Sequence, residues 1–185
     1  MRIAGLLLAA GAGRRWGEPK ALVRDEHGPW LLQAVSALAE GGCDTLTVVV
    51  GAAVVGPTEM LREEHADEVQ IVVAHDWSEG MGASLRAGLA ALDADVAVVS
   101  LVDVPDVGGD VVRRLLDAPV DAGTLRRATY LGEPGHPVVI GRAHWSGIIA
   151  VATGDRGARD YLAEHPAELV ECGDLATGVD RDVPP

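Results

Sequence analysis

Four short runs, IAGLLLA (Ile3 to Ala9), TLTVVVG (Thr45 to Gly51), VQIVVAH (Val69 to His75) and DVAVVSLVD (Asp95 to Asp103), are apolar at almost every position instead of every second one. A strand carries such a run only when both of its faces are buried, the condition of a parallel sheet covered by helices. Helical patterns fill the gaps. Leu31, Val35 and Leu38 share one face in WLLQAVSALAEGG, and Gly41-Gly42 stops that helix. Pro57 opens a second helix, PTEMLREEHADE, and Leu85, Leu89 and Leu92 stripe a third. Alternation of this kind is the sequence form of βαβ units. The core must be aliphatic, because Phe is absent and aromatic residues make up only 3% of the chain.

After Asp103 the rhythm changes. A helix is expected around DVVRRLL, then two strands in TYLGEPGHPVVI joined through a Gly/Pro turn, helices in AHWSGIIAV and ARDYLAEH, and a strand at ELVEC. With 185 residues and no linker or repeat, one domain over residues 1–185 is the expectation. Ligands of open α/β sheets gather beyond the carboxyl ends of the strands, which puts Gly11, Gly51, His75 and Asp103 on one rim.

Charge and cysteine content narrow the function classes. A net charge of −13 argues against a nucleic acid or an anionic membrane as partner, since both select basic surfaces. Cys43 and Cys172 stand far apart without zinc or disulfide spacing and read as apolar fillers. IAGLLLAAGA after Arg2 has the outline of a signal peptide, but the basic segment before it is minimal and cleavage would leave RRWGEPKAL without a purpose. A cytoplasmic protein is therefore expected.

The first apolar run ends in GAGRRWGEPKAL. A glycine-rich βα turn exposes backbone N–H groups, and the helix expected after it would add its positive end, a setting suited to phosphate. The loop lacks the GK[ST] ending of a Walker loop, and Trp16 stands where a dinucleotide fingerprint has its third glycine. That substitution disfavours a dinucleotide oxidoreductase. Arg15 and Lys20 flank Pro19 and could place two cations on one polyphosphate. A solvated basic turn is the alternative.

LAAGAGRRWGEPKAL resembles the N-terminal signature of the MobA-like nucleotidyltransferases, the family that includes the molybdenum cofactor cytidylyl- and guanylyltransferases. EGMGASLRAGL, SLVDVP, GHPVV, GDRGARDYL and VDRDVP follow in the family's order across nearly the whole chain and are most similar to the cytidylyl branch. The resemblance implies a Rossmann-like (GT-A-like) α/β domain, with a mostly parallel sheet flanked by helices and a more irregular C-terminal acceptor-binding half. It implies transfer of CMP from CTP to the phosphate of a molybdopterin-type acceptor, with Mg²⁺ as cofactor and a molybdenum enzyme as recipient of the product. A relative using GTP or a sugar or alcohol phosphate stays open, as does a nucleotide-binding regulatory module without turnover.

The resemblance also distributes roles. Ala9, Ala10, Gly11, Ala12, Gly13, Arg14, Arg15, Lys20 and Ser84 would bind the nucleotide, with Arg15, Lys20 and Asp103 as catalytic groups. Asp103 and Asp182 would hold the metal, supported by Asp180. His136, Asp155 and Arg156 would meet the acceptor. Each has a structural alternative: Ser84 as a helix N-cap, Asp103 as a loop cap, His136 as a surface residue on a loop bent by Gly135 and Pro137, and Asp155-Arg156 as a loop-ordering pair at a helix start. Three departures stand out: Val102 replaces the glycine before the aspartate, Val183 replaces a threonine after Asp182, and the resemblance implies a terminal helix beyond Pro185. An acidic tail without a fixed partner is the alternative for Asp180 and Asp182.

Overall fold

The computed structural model describes residues 1–65 and 68–182. Three of the apolar runs become central parallel strands: β1 (Ile3–Leu8), β4 (Thr45–Val50) and β6 (Val96–Leu101). The other run gives β5 (Val69–Val73), outermost on that side. All six residues of β6 are buried, as a strand covered on both faces requires. β7 (Leu125–Tyr130), β8 (Glu133–Gly141) and β9 (Glu168–Glu171) complete a seven-stranded sheet in the order β5-β4-β1-β6-β8-β7-β9. β8 runs antiparallel to β6 and β7, whereas β9 is parallel to β7.

The helices are α1 (Trp30–Glu40), α2 (Val55–His65), α3 (Met81–Ala91), α4 (Gly109–Leu116), α5 (Trp145–Val151) and α6 (Arg159–Glu164). α1 ends at Gly41, and Gly42 takes the left-handed conformation at φ 103°. α2 begins two residues before Pro57, and Ala66 and Asp67 of its expected span lie outside the described residues. Aliphatic packing replaces the missing aromatics: Leu6, Leu7, Leu31, Leu38, Leu89 and Ile140 are fully buried, each stabilising the fold by about 1.5–3 kcal/mol. Cys172 is buried, Cys43 is partly buried, and both thiols are free. Among the described residues no helix is long and apolar enough to cross a membrane.

Two local expectations need correction. No α-helix follows the glycine loop, because a 3-10 turn at Lys20–Leu22 and a short hairpin of β2 (Arg24–Asp25) and β3 (Gly28–Pro29) intervene before α1. Asp25 holds that hairpin by accepting from the Trp30 indole at 2.9 Å and from Gln33 at 2.8 Å. The β7–β8 turn is made by Leu131 and Gly132, both at positive φ, while Pro134 and Gly135 lie inside β8. Glu171 explains the shift: its carboxylate accepts from the N–H groups of Leu131 and Gly132 and from the Thr129 hydroxyl.

Candidate functional site

At the carboxyl ends of β1 and β6 the chain opens into a cavity of about 450 Å³. Its walls include Ala10, Gly11, Ala12, Arg14, Arg15 and Lys20 from the first loop, Ser84 from α3, and Val102, Asp103 and Asp155. Most of the expected nucleotide residues thus meet in one place. Ala9 and Gly13 lie behind the lining. The Ala9 N–H donates to Val49, and the Gly13 carbonyl accepts from the N–H groups of Trp16 and Gly17, both at 2.9 Å.

The loop is shaped without a helix. Gly13 sits at φ 58°, and a Cβ there would stand 1.8 Å from the Glu18 carbonyl oxygen, so only glycine closes this turn. Trp16 packs edge-on against Trp30 with ring centroids 4.9 Å apart, tying the loop to the start of α1. The indole therefore does not obstruct a following helix. The loop equally lacks the helix N-terminus that a dinucleotide pyrophosphate would use.

A charged cluster crosses the mouth. The Lys20 ammonium donates to Asp103 Oδ2 at 2.7 Å and to Asp182 Oδ1 at 2.6 Å, with only 12% of the lysine side chain exposed. Burial works against this charge, but the two carboxylates outweigh it and the Lys20 pKa is raised. Asp182 also accepts from Arg15 at 3.2 Å; its bond to Lys20 is the chief reason its carboxyl titrates below the ordinary range. Burial, followed by Asp103 and Asp182, pushes the Asp180 pKa up. The C-terminal segment is held here: the Arg181 N–H donates to the Asp103 carbonyl at 2.8 Å. This is a fixed partner for a segment whose alternative was a free acidic tail. Val183 and Pro184 lie outside the described residues.

The donors fit a hard divalent cation. Among the described residues the buried Asp103 Oδ1 has no hydrogen-bond partner, a costly state that a cation would relieve. Among the described residues no group of three or more His, Cys, Asp or Glu side chains is arranged around a metal position. Mg²⁺ needs only one or two carboxylates when phosphate oxygens and water complete its shell, so Asp103 with Asp182 suffices.

α3 forms the facing wall. Its N-cap is Gly80 at φ 114°, so Ser84 lies within the first turn and is not the cap. A Cβ on Gly80 would meet Gly154 and the Asp155 carboxylate at 2.5–2.7 Å, so glycine lets the two loops touch. Arg86 fixes the same junction, donating to Ala152, Asp76 and Glu79.

A second cavity of about 240 Å³ shares Leu8, Met81, Leu101 and Asp155 with the first. His136, Arg156 and Asp180 line it. His136 lies on β8, not on a loop, with its carbonyl accepting from the Tyr130 hydroxyl at 2.6 Å. Burial, then the nearby Arg127, lowers its pKa to about 4, so the imidazole is neutral at neutral pH. Asp155 and Arg156 form a 3-10 turn ahead of α6, where Arg156 pairs with Asp160 at 2.5 Å. Arg127 and Arg159 line this cavity too and were not expected from the sequence. A readable signal existed: two consecutive arginines in a strand must face opposite sides of the sheet. Arg126 faces inward to Glu168 and the Leu115 carbonyl, leaving Arg127 for the cavity.

The model of the MobA-like NTP transferase domain matches residues 5–169. The nicotine blue oxidoreductase of Paenarthrobacter nicotinovorans is 36% identical over 191 residues, covering 97% of this chain and 92% of that protein. The molybdenum cofactor cytidylyltransferase of Escherichia coli K12 is 24% identical over 139 residues, covering 74% and 69%. Rv0371c of Mycobacterium tuberculosis H37Rv, solved also as a complex with manganese, superposes in that complex with a TM-score of 0.74 at 26% identity, covering 98% and 94%. With the family model spanning most of the sheet and the loop, the chain belongs to the MobA-like NTP transferase family.

Proposed function

We propose that the protein transfers CMP from CTP to the phosphate of a molybdopterin-type acceptor and releases pyrophosphate. A phosphate oxygen of the acceptor attacks the α-phosphorus; the new O–P bond forms as the bond to the bridging oxygen breaks, and pyrophosphate leaves with that electron pair. The observation that carries the reading is the meeting of Lys20 with Asp103 and Asp182 at the mouth of the glycine-loop cavity.

The chain's own work is positioning and charge neutralisation. Lys20 and Arg15 face the β and γ phosphates, with the backbone N–H groups of Ala12 to Arg14 in support. The Ser84 hydroxyl faces the base, beside the small side chain of Ala10. Asp103 and Asp182 would hold Mg²⁺, which supplies neutralisation where two phosphates approach. Lys20 is the counter-ion of both carboxylates, and a triphosphate beside it would give its ammonium a further anionic partner. His136, Asp155 and Arg156 face the acceptor side, and the shared wall of the two cavities is the line across which transfer runs.

A panel of four nucleoside triphosphates with molybdopterin and Mg²⁺, read by pyrophosphate release, tests this. Release with CTP in wild type, and its loss in Asp103→Asn with CTP binding retained, is expected. Binding in both proteins and turnover in neither would identify a regulatory module instead.

A second reading is favoured by one observation, the 36% identity to a nicotine blue oxidoreductase over 97% of the chain. The second cavity, where the apolar Leu85, Val99, Val138 and Ile140 stand beside charged side chains, would then be the place for the substrate. Consumption of NADH or NADPH with nicotine blue, and no pyrophosphate release from any triphosphate, would install this reading in place of the first.

A further inference from the structure

Three guanidinium groups line the second cavity, and among the described residues only that of Arg156 is in an ion pair, with Asp160 at 2.5 Å. Arg126, on the other face of β7, is paired with Glu168 at 2.8 Å. Arg127, half-buried on β7, donates only to the neutral carbonyls of Gly135 at 2.9 Å and Pro134 at 3.3 Å and makes no ion pair among the described residues. Arg159, the exposed first residue of α6, makes none either. Both line this cavity and neither lines the first. Burial and the proximity of Arg159 each work against the charge on Arg127. A guanidinium held in that position without a carboxylate is costly, and an incoming anion would offset the cost through charge-assisted bonds.

The remaining wall limits what carries that anion. Leu85, Val99, Val138, Ile140 and Leu162 are apolar, and the His136 imidazole is uncharged. The two carboxylates that line the cavity lie toward the first one: Asp155 belongs to the wall shared with it, and Asp180 feels Asp103 and Asp182. Charge in the cavity therefore runs from negative near the junction to positive at the two arginines.

We infer that Arg127 and Arg159 clamp an anionic group on an apolar framework, a group distinct from the phosphate that receives the nucleotide. The inference rests on the reading of this cavity as the acceptor side and deepens it: the acceptor carries a second anionic group besides its reactive phosphate, reacting at one end and held by the arginines at the other. Arg127 and Arg159 become specificity-determining residues, selecting against acceptors that carry the reactive phosphate alone.

Two dyes of one framework test the clamp on the whole protein: 1-anilinonaphthalene-8-sulfonate and its sulfonate-free counterpart N-phenyl-1-naphthylamine, both read by fluorescence. Arg127→Met and Arg159→Met keep much of the side-chain volume and remove the charge. Each is expected to weaken sulfonate binding about fivefold to tenfold, as loss of a charge-assisted bond implies, with the neutral dye changed less than about twofold. Equal sulfonate affinity in wild type and the double variant, or parallel loss of both dyes, overturns the clamp. Circular dichroism confirms folding; should Arg127→Met not fold, Arg159→Met and Arg159→Glu carry the same comparison at an exposed position. The titration contains no nucleotide, so its failure leaves nucleotide transfer standing, whereas absence of pyrophosphate release bears only on the transfer reading.

Discussion

Lys20 is the residue on which the site turns, because one ammonium bridges two carboxylates from distant parts of the chain. On the proposed transfer, Lys20→Met is expected to lower turnover by about a hundredfold or more, as removal of a transition-state cation would, and to cost about 1–3 kcal/mol of stability by stranding Asp103. Carboxyl NMR provides a separate readout: the Asp182 pKa, depressed chiefly by Lys20, should rise toward its ordinary value of 3.8 in the variant. The wild-type contact has a wide pH window. Lys20 is raised above 10.5, so its contribution is complete below that pH and is lost as pH rises through the folded value. Asp182 is depressed below 3.8, so its contribution is present above that pH and fades as pH falls through the folded value. His136 behaves in the opposite sense to a paired histidine. With a folded value of about 4 against an ordinary 6.5, it binds fewer protons folded than unfolded between them, so stability falls as pH drops from 6.5 toward 4. His136→Gln should remove roughly 2 kcal/mol of that acid loss, allowing for solvent contact of the ring, measured by urea unfolding at pH 7 and pH 4.5.

At the scale of elements, close approach decides which pieces of chain share the site. A Cβ on Gly82 in α3 would stand 2.7 Å from the Thr153 nitrogen and 2.9 Å from the Ala152 carbonyl carbon. Gly82→Val should therefore cost roughly 1–3 kcal/mol and weaken nucleotide and acceptor binding together, since the loop it displaces carries Asp155 into both cavities. The β7–β8 turn depends on Glu171, whose bond from Thr129 and then those from Gly173, Leu131 and Gly132 pull its pKa to about 2. Glu171→Gln should lower the melting temperature at pH 7, and the gap from wild type should close as pH falls from 4.5 toward 2, where the native carboxylate is itself protonated. An unchanged gap across that range would deny the carboxylate its role. The strand runs of the N-terminal half were legible because period and composition are local properties. The end of the glycine loop was not, because Trp16 meeting Trp30 and Asp25 meeting Gln33 are contacts that the local pattern does not encode.

Across the whole molecule, one sheet joins the two halves through β6 and β8, with Val96 opposite Gly141 and Val99 opposite Val138. We propose that residues 1–185 form one cooperative unit. A fragment of residues 1–104 would leave the buried strand β6 without its β8 neighbour, and it should show no dispersed amide NMR spectrum. A folded fragment would divide the chain into two domains. The amino-acid sequence by itself determined the central parallel strands, the aliphatic core and the family, because apolar runs and ordered motifs are written in consecutive residues. Only the tertiary structure decided that the C-terminal Asp182 caps Lys20, that Arg127 rather than Arg126 opens into the second cavity, and that the two cavities share a wall. Those outcomes depend on which side of a strand a side chain faces and on contacts between segments up to 162 positions apart, which no local pattern contains.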